Sequence, residues 1–133
     1  MKFNFLKIAM LSFIELFFCS NANADVFVIA HVGTNISATD IKDIFLGETQ
    51  LVGSVKLVPV DNQAAQTEFL QKAIGMELNK YNSTWTKKSF RDGLNPPAVK
   101  SSDPEVIEFV KRTDGAVGYT TIKPEGVTIV TTF

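Results

Sequence analysis

The chain has 133 residues, 13 basic and 14 acidic side chains, and a formal net charge of −1. Because the charges are few and of both signs, the chain lacks the basic surface expected of a nucleic-acid-binding protein. Its one cysteine excludes an intramolecular disulfide, and its one histidine, His31, has no acidic partners at metal-ligand spacing nearby. The composition therefore predicts no nucleic-acid partner, no metal site and no cofactor.

The N-terminus has the pattern of an export signal. Lys2 and Lys7 precede a short apolar stretch, and Ala22-Asn23-Ala24 is the small-x-small pattern that signal peptidase recognises. We expect cleavage between Ala24 and Asp25, a periplasmic or secreted location, and one domain over residues 25–133. The apolar stretch is shorter than the roughly 20 residues of a membrane span, so the chain is not expected to cross a membrane.

The first half of the domain predicts two strands with a helix between them. The run from Val26 to Ala30 is apolar and rich in β-branched residues, which favours a strand covered on both faces. Ser37 and Asp40 form a capping-box pair, and the helix that they begin ends at Gly47. The run from Val55 to Val60 predicts a second buried strand.

The second half predicts three more helices and two more strands. One helix begins at Asp61-Asn62 and ends at Gly75, and another runs from Glu77 to about Phe90 with Tyr81 and Trp85 inward. Pro96-Pro97 predicts an extended crossing. A last helix begins at Asp103, before strands at 116–121 and 127–133.

This alternation of strands and helices predicts the α/β class, with a mostly parallel sheet and an antiparallel edge strand at 127–133. Ligands of such sheets bind at the carboxyl ends of strands, where helix N-termini point. Two segments qualify. They are the loop with Thr34, Asn35 and Ser37, and the turn with Asp61, Asn62 and Gln63.

Each segment also has a purely structural interpretation. Thr34 and Asn35 suit a turn before the Ser37 cap, and Asn62 and Gln63 suit an N-cap and a first helical turn. Gly118 is expected to let another element approach its strand closely. The basic cluster of Lys87, Lys88 and Arg91 is either a solvated helix end or a docking site for an acidic partner.

Three segments together resemble the phosphate-type ABC-transporter substrate-binding proteins. Asp43-Ile44-Phe45-Leu46-Gly47 is similar to their "IFLGK" element, and Gly115-Ala116-Val117-Gly118-Tyr119 is similar to their "GAIGY" strand. Trp85 with Phe90, Gly93 and Pro96-Pro97 resembles a stretch of their short homologues. The similar segments occur in the same order and extend over about residues 26 to 121.

The resemblance implies a single three-layer lobe of the type II periplasmic-binding-protein fold. The domain after Ala24 has no thiol, no second histidine and no G-x-S-x-G or phosphate-loop motif, so we expect a protein that is not an enzyme. The resemblance also implies a small oxyanion such as phosphate as ligand, and an ABC permease or another envelope protein as partner. A homodimer would close the open half-cleft. The implied ligand-binding residues are Thr34, Asn35, Ser37, Asp61, Asn62, Gln63, Ala64 and Ala65.

The sequence departs from this family at the start of the helix after Val58-Pro59-Val60. Members that hold phosphate carry a serine there, often with an arginine, whereas Ala65 and Gln66 occupy those positions here. The helix N-terminus is retained, but the charged clamp is missing. Two functions therefore remain open: weak oxyanion binding at this helix start, and an interaction module that keeps the fold without a small ligand.

Overall fold

The structure is a computed structural model that describes residues 24–133. Residues 1–23, which are all of the predicted export signal except Ala24, lie outside the described residues. Five strands form one sheet in the order β5-β4-β6-β1-β7, and β2 and β3 form a separate hairpin. The strands are β1 (Phe27–Ala30), β2 (Leu51–Val52), β3 (Val55–Lys56), β4 (Val58–Asn62), β5 (Ala98–Lys100), β6 (Ala116–Thr120) and β7 (Thr128–Thr132). The helices are α1 (Ile41–Phe45), α2 (Gln66–Phe69), α3 (Leu78–Asp92) and α4 (Asp103–Arg112).

Two short helical turns of other types extend these helices. A 3₁₀ turn, Ala38–Asp40, leads into α1 from the predicted Ser37 cap, and a π-helical turn, Leu70–Ile74, continues α2. Gly75 and Gly93 end α2 and α3 with φ angles of +76° and +69°. Glycine adopts this left-handed conformation without steric cost, which is why these helix ends could be predicted.

The sheet is mostly parallel in strand direction. β4 pairs in parallel with β5 and β6, whereas β1 is antiparallel to both of its neighbours, β6 and β7. Four strands therefore run one way and β1 runs against them. This confirms the predicted mixed α/β class and the antiparallel pairing of the last strand at the sheet edge.

Helices cover both faces of the sheet, as the three-layer prediction requires. Neighbouring residues of β1 face opposite sides: Val28 belongs to the larger core, whereas Ile29 packs with Val106 and Val110 of α4. The larger core lies against α1, α2 and α3, and its centre is three aromatic rings. Phe69 stacks on Tyr119 at 3.8 Å between ring centroids, and Phe45 meets Phe69 edge-on at 4.8 Å.

Several elements differ from the sequence expectation. Asp61 and Asn62, expected to begin a helix, are the last two residues of β4, because they pair with β5, and α2 begins only at Gln66. The hairpin strand β2 was not predicted.

The predicted strand at 55–60 is divided, because Leu57 donates its N–H to Gln50 of the hairpin and Val58 donates to Gly115 beside β6. The chain thus changes hydrogen-bond partners between adjacent residues. The extended crossing after Pro96-Pro97 contains the edge strand β5, whose pairing with β4 depends on tertiary contact.

Candidate ligand site at the carboxyl edge of the sheet

Strands β4, β5 and β6 end together at one edge of the sheet, and Asn62 is the central side chain there. It is fully buried. Its amide nitrogen donates to Asp103 at 2.7 Å and to the Tyr119 carbonyl at 3.0 Å, and its oxygen accepts the Ala64 N–H at 3.0 Å. Asn62 therefore joins β4, β6 and α4 and shapes the turn before α2.

The backbone amides predicted to bind a ligand are hydrogen-bonded within the protein. Gln63 donates its N–H to the Lys100 carbonyl at 2.8 Å, and Ala65 donates to the Asn62 carbonyl at 3.0 Å. The first N–H groups of an α-helix have no intrahelical acceptor. In α2 these are the N–H groups of Gln66, Thr67 and Glu68. These residues line a shallow concavity of about 440 Å³ together with Gln63, Ala64, Ala65, Gln71 and Lys72.

Asp61 faces the interior of the protein. It is 1% exposed, and its two oxygens accept hydrogen bonds from the hydroxyls of Tyr81 and Tyr119, each at 2.8 Å. Burial raises the pKa of Asp61 from 3.8 to about 6, and the two hydroxyl hydrogen bonds oppose that rise. Burial, followed by the negative charge of Asp61, raises the pKa values of both tyrosines, which remain neutral donors.

A carboxylate of the chain itself lies where the ends of β4 and β6 meet. Asp103 accepts hydrogen bonds from Asn62 at 2.7 Å, from the Thr121 N–H at 3.2 Å, and from the Thr121 hydroxyl. Asn62 at the end of β4 and Thr121 after β6 therefore already donate to a carboxylate of the protein itself. The sequence indicates Asp103 only as a helix start, because nothing local to an Asp-Pro pair reveals partners 18 and 41 residues away.

The other candidate segment, with Thr34, Asn35 and Ser37, follows β1 at the opposite end of the parallel strands. Because β1 runs against β4 and β6, its end lies beside the start of β6, where His31 donates its N–H to Ala116 at 3.0 Å. Thr34 is buried and donates its N–H to His31 in a tight turn, whereas Asn35 is exposed. The structure therefore does not bring the end of β1 to the edge that Asn62 occupies.

Ser37 acts in the capping box at the start of the turn before α1. Its N–H donates to the Asp40 carboxylate at 3.0 Å and its hydroxyl donates to the same oxygen at 2.9 Å. The backbone hydrogen bond, then the hydroxyl one, lowers the pKa of the Asp40 carboxyl. Both groups of Ser37 thus serve the local structure.

His31 contacts α4 and the residues after it. Its Nδ1 lies 2.9 Å from the Val110 carbonyl oxygen, and its Nε2 lies 3.2 Å from the Asp114 carboxylate. Over residues 24–133, no three His, Cys, Asp or Glu side chains are grouped closely enough to hold a metal ion. In the same part of the chain, no helix is long and apolar enough to cross a membrane.

The fold is similar to that of solved proteins described as components of phosphate transport. One is a protein from Clostridium perfringens described as a phosphate ABC transporter substrate-binding protein with bound phosphate, at a TM-score of 0.60 and 15% identity. Another is an ABC-type phosphate transport receptor from Vibrio cholerae, at a TM-score of 0.50 and 15% identity. The chain shares its fold with part of these proteins. No protein-family model and no curated protein matches the sequence.

The likeness to these proteins covers most of this chain but less than half of theirs. It extends over 80% of this chain in both cases, and over 45% of the Clostridium protein and 46% of the Vibrio receptor. At 15% identity the likeness establishes the fold alone. The fold implied by the sequence resemblance is thereby confirmed, while the ligand-binding residues stay predictions.

Proposed function

We propose that the protein is an exported, periplasmic binding module of the phosphate substrate-binding type, without enzymatic activity, that contacts small oxyanions weakly at the start of α2. The fold likeness to a protein solved with bound phosphate carries this proposal. The position of the site is supported by the concavity around Gln66, Thr67 and Glu68, where first-turn N–H groups favour an anion.

The shape and charge of this concavity predict low affinity. Tight small-molecule sites bury about 70–90% of their ligand, whereas this surface is shallow and formed by one lobe. The one cation among the lining residues, Lys72, is paired with Glu68 at 2.8 Å. We therefore expect a dissociation constant for phosphate between about 1 and 10 mM, equivalent to ~3–4 kcal/mol of binding free energy.

Titration with phosphate or sulfate, followed by amide chemical shifts, tests the proposal. We expect saturable shifts centred on residues 66–68, with no such response to chloride. Gln66→Arg should tighten phosphate binding by about tenfold, because it adds a charge-assisted donor beside the anion. Gln50→Arg places the same charge in the β2–β3 region and should leave the affinity unchanged. Shifts no larger than those caused by chloride at ~50 mM phosphate, which exceeds every dissociation constant in this range, would reject oxyanion binding.

A second candidate function is an interaction module that has no small ligand and binds an ABC permease, another envelope protein or a second copy of itself. The bonds from Asn62 and Thr121 to Asp103 favour it, because they satisfy the strand-end donors internally. This function predicts no phosphate response in the native protein or in Gln66→Arg. Sedimentation equilibrium distinguishes the homodimer from a monomer that needs a different partner.

A further inference from the structure

The outward face of α3 carries one aromatic side chain that contacts little of the protein. Phe90 is 90% exposed. Tyr81, Trp85 and Lys88 mark the buried face of the same helix. At 100° per residue, Phe90 points roughly 170° away from the mean direction of those three side chains. It therefore lies at the centre of the solvent-facing side.

A row of cations runs along α3 on one side of Phe90. Lys80, Lys87 and Arg91 are all exposed, and helical geometry places them within about 40° of one another over roughly 16 Å of helix length. No acidic residue occurs in α3 before Asp92, which pairs with Arg91 at 3.0 Å. With the paired Asp92 counted, this one-residue-wide row keeps a net charge of +2.

A cavity of about 300 Å³ flanks Phe90 on the other side, between α3 and the edge strand β5. Its walls include Thr86, Ser89, Pro96 and Val99, and Asp61 and Gln66 also line it. Val99 is 54% exposed, and β5 is the terminal strand of the sheet. The cation row, Phe90 and this cavity together form a continuous strip, which we call the α3 surface.

We propose that the α3 surface binds an acidic segment of another protein, with carboxylates along Lys80, Lys87 and Arg91 and an apolar side chain in the cavity beside Val99. Charge complementarity selects the acidic partner, and the narrow row selects a linear segment over a flat surface. Binding to an anionic bilayer would be weak, because each cation would contribute only ~1 kcal/mol and Phe90 would be the one inserted ring. This strength of binding resembles the marginal binding given by a single acyl chain. This inference goes beyond oxyanion binding and does not depend on it.

Site-specific photo-crosslinking in cells that produce the full chain tests the proposal. A photoreactive residue replaces Phe90, and the control carries it at Glu108, an exposed position of α4. We expect one crosslinked protein from position 90 and none from position 108, with an acidic sequence at the crosslinked site. Reversing the cation row with Lys80→Glu, Lys87→Glu and Arg91→Glu should reduce the crosslinked product by about tenfold or more.

A triple variant of equal net charge provides the matched control. Lys42→Glu, Lys111→Glu and Lys123→Glu reverse three other exposed lysines and should leave the product unchanged. Thermal unfolding of both triple variants shows whether each remains folded. The proposal is overturned if position 90 gives no product, if the product survives reversal of the cation row, or if the product is a dimer of this chain. The proposal is also overturned if the protein sediments with phosphatidylglycerol vesicles in a salt-dependent manner and the variant with the reversed cation row does not. That result would show that the α3 surface binds lipid.

Discussion

Gly118 shows how one missing side chain permits the packing of α4 on the sheet. A Cβ atom at this position would lie 2.6 Å from Val106 Cγ1 and 3.3 Å from Val60 Cγ2. Both valines are fully buried in the smaller core. The sequence-based expectation that Gly118 permits a close approach is confirmed, and the approaching element is α4.

We therefore expect Gly118→Ala to lower the free energy of unfolding by about 1–3 kcal/mol, because the added methyl overpacks a filled core. Urea denaturation measures this change. A double-mutant cycle with Val106→Ala provides the control, since removing the methyl that would clash should make the combined loss smaller than the sum of the two. Strict additivity would show that the clash is not with Val106.

At the scale of whole elements, side chains of α3 hold the carboxyl end of α1. The Trp85 indole donates to the Phe45 carbonyl at 3.1 Å, and Lys88 donates to the Leu46 carbonyl and to Glu48. The last carbonyls of a helix need such outside partners. The interpretation of Lys87, Lys88 and Arg91 as one solvated cluster is wrong for Lys88, which is 7% exposed.

The neighbouring lysines 87 and 88 allow a matched test of this joint. Lys88→Met should cost about 1.5–3 kcal/mol of unfolding free energy, because it removes a charge-assisted hydrogen bond and leaves the Leu46 carbonyl without its donor. Lys87→Met removes the same charge from an exposed position and should change stability by about 0.5 kcal/mol or less. Equal effects of the two substitutions on chemical denaturation would contradict the structural role of Lys88.

At the scale of the whole molecule, the Asp61 carboxyl ties together elements from three parts of the chain. It lies in β4 and accepts hydrogen bonds from Tyr81 of α3 and Tyr119 of β6. Its pKa is raised to about 6 by burial, so the folded state holds this proton more tightly than the unfolded chain does. The stability that this group contributes is therefore full below pH 3.8 and is lost as pH rises through about 6.

Asp61→Asn removes this ionisation while preserving the side-chain shape. A rise in pKa from 3.8 to about 6 corresponds to about 3 kcal/mol. The stability of the native protein relative to Asp61→Asn should therefore fall by about that amount between pH 3.5 and pH 7. Urea denaturation of both proteins across this range measures the difference, in which other titrating groups cancel. A pH-independent difference would show that Asp61 titrates normally.

Most helix ends and the class of fold follow from local patterns in the sequence. Ser37, Gly75 and Gly93 mark helix ends because capping and positive φ angles depend on a few neighbouring residues. The alternation of strands and helices determined the layered α/β class for a similar reason. Long-range contacts set the direction of β1 against the other strands, and this separates Thr34 from Asn62. They also bury the side chains of Asp61 and Lys88. Strand direction and burial depend on partners tens of residues away, and no pattern within a short segment of sequence contains them.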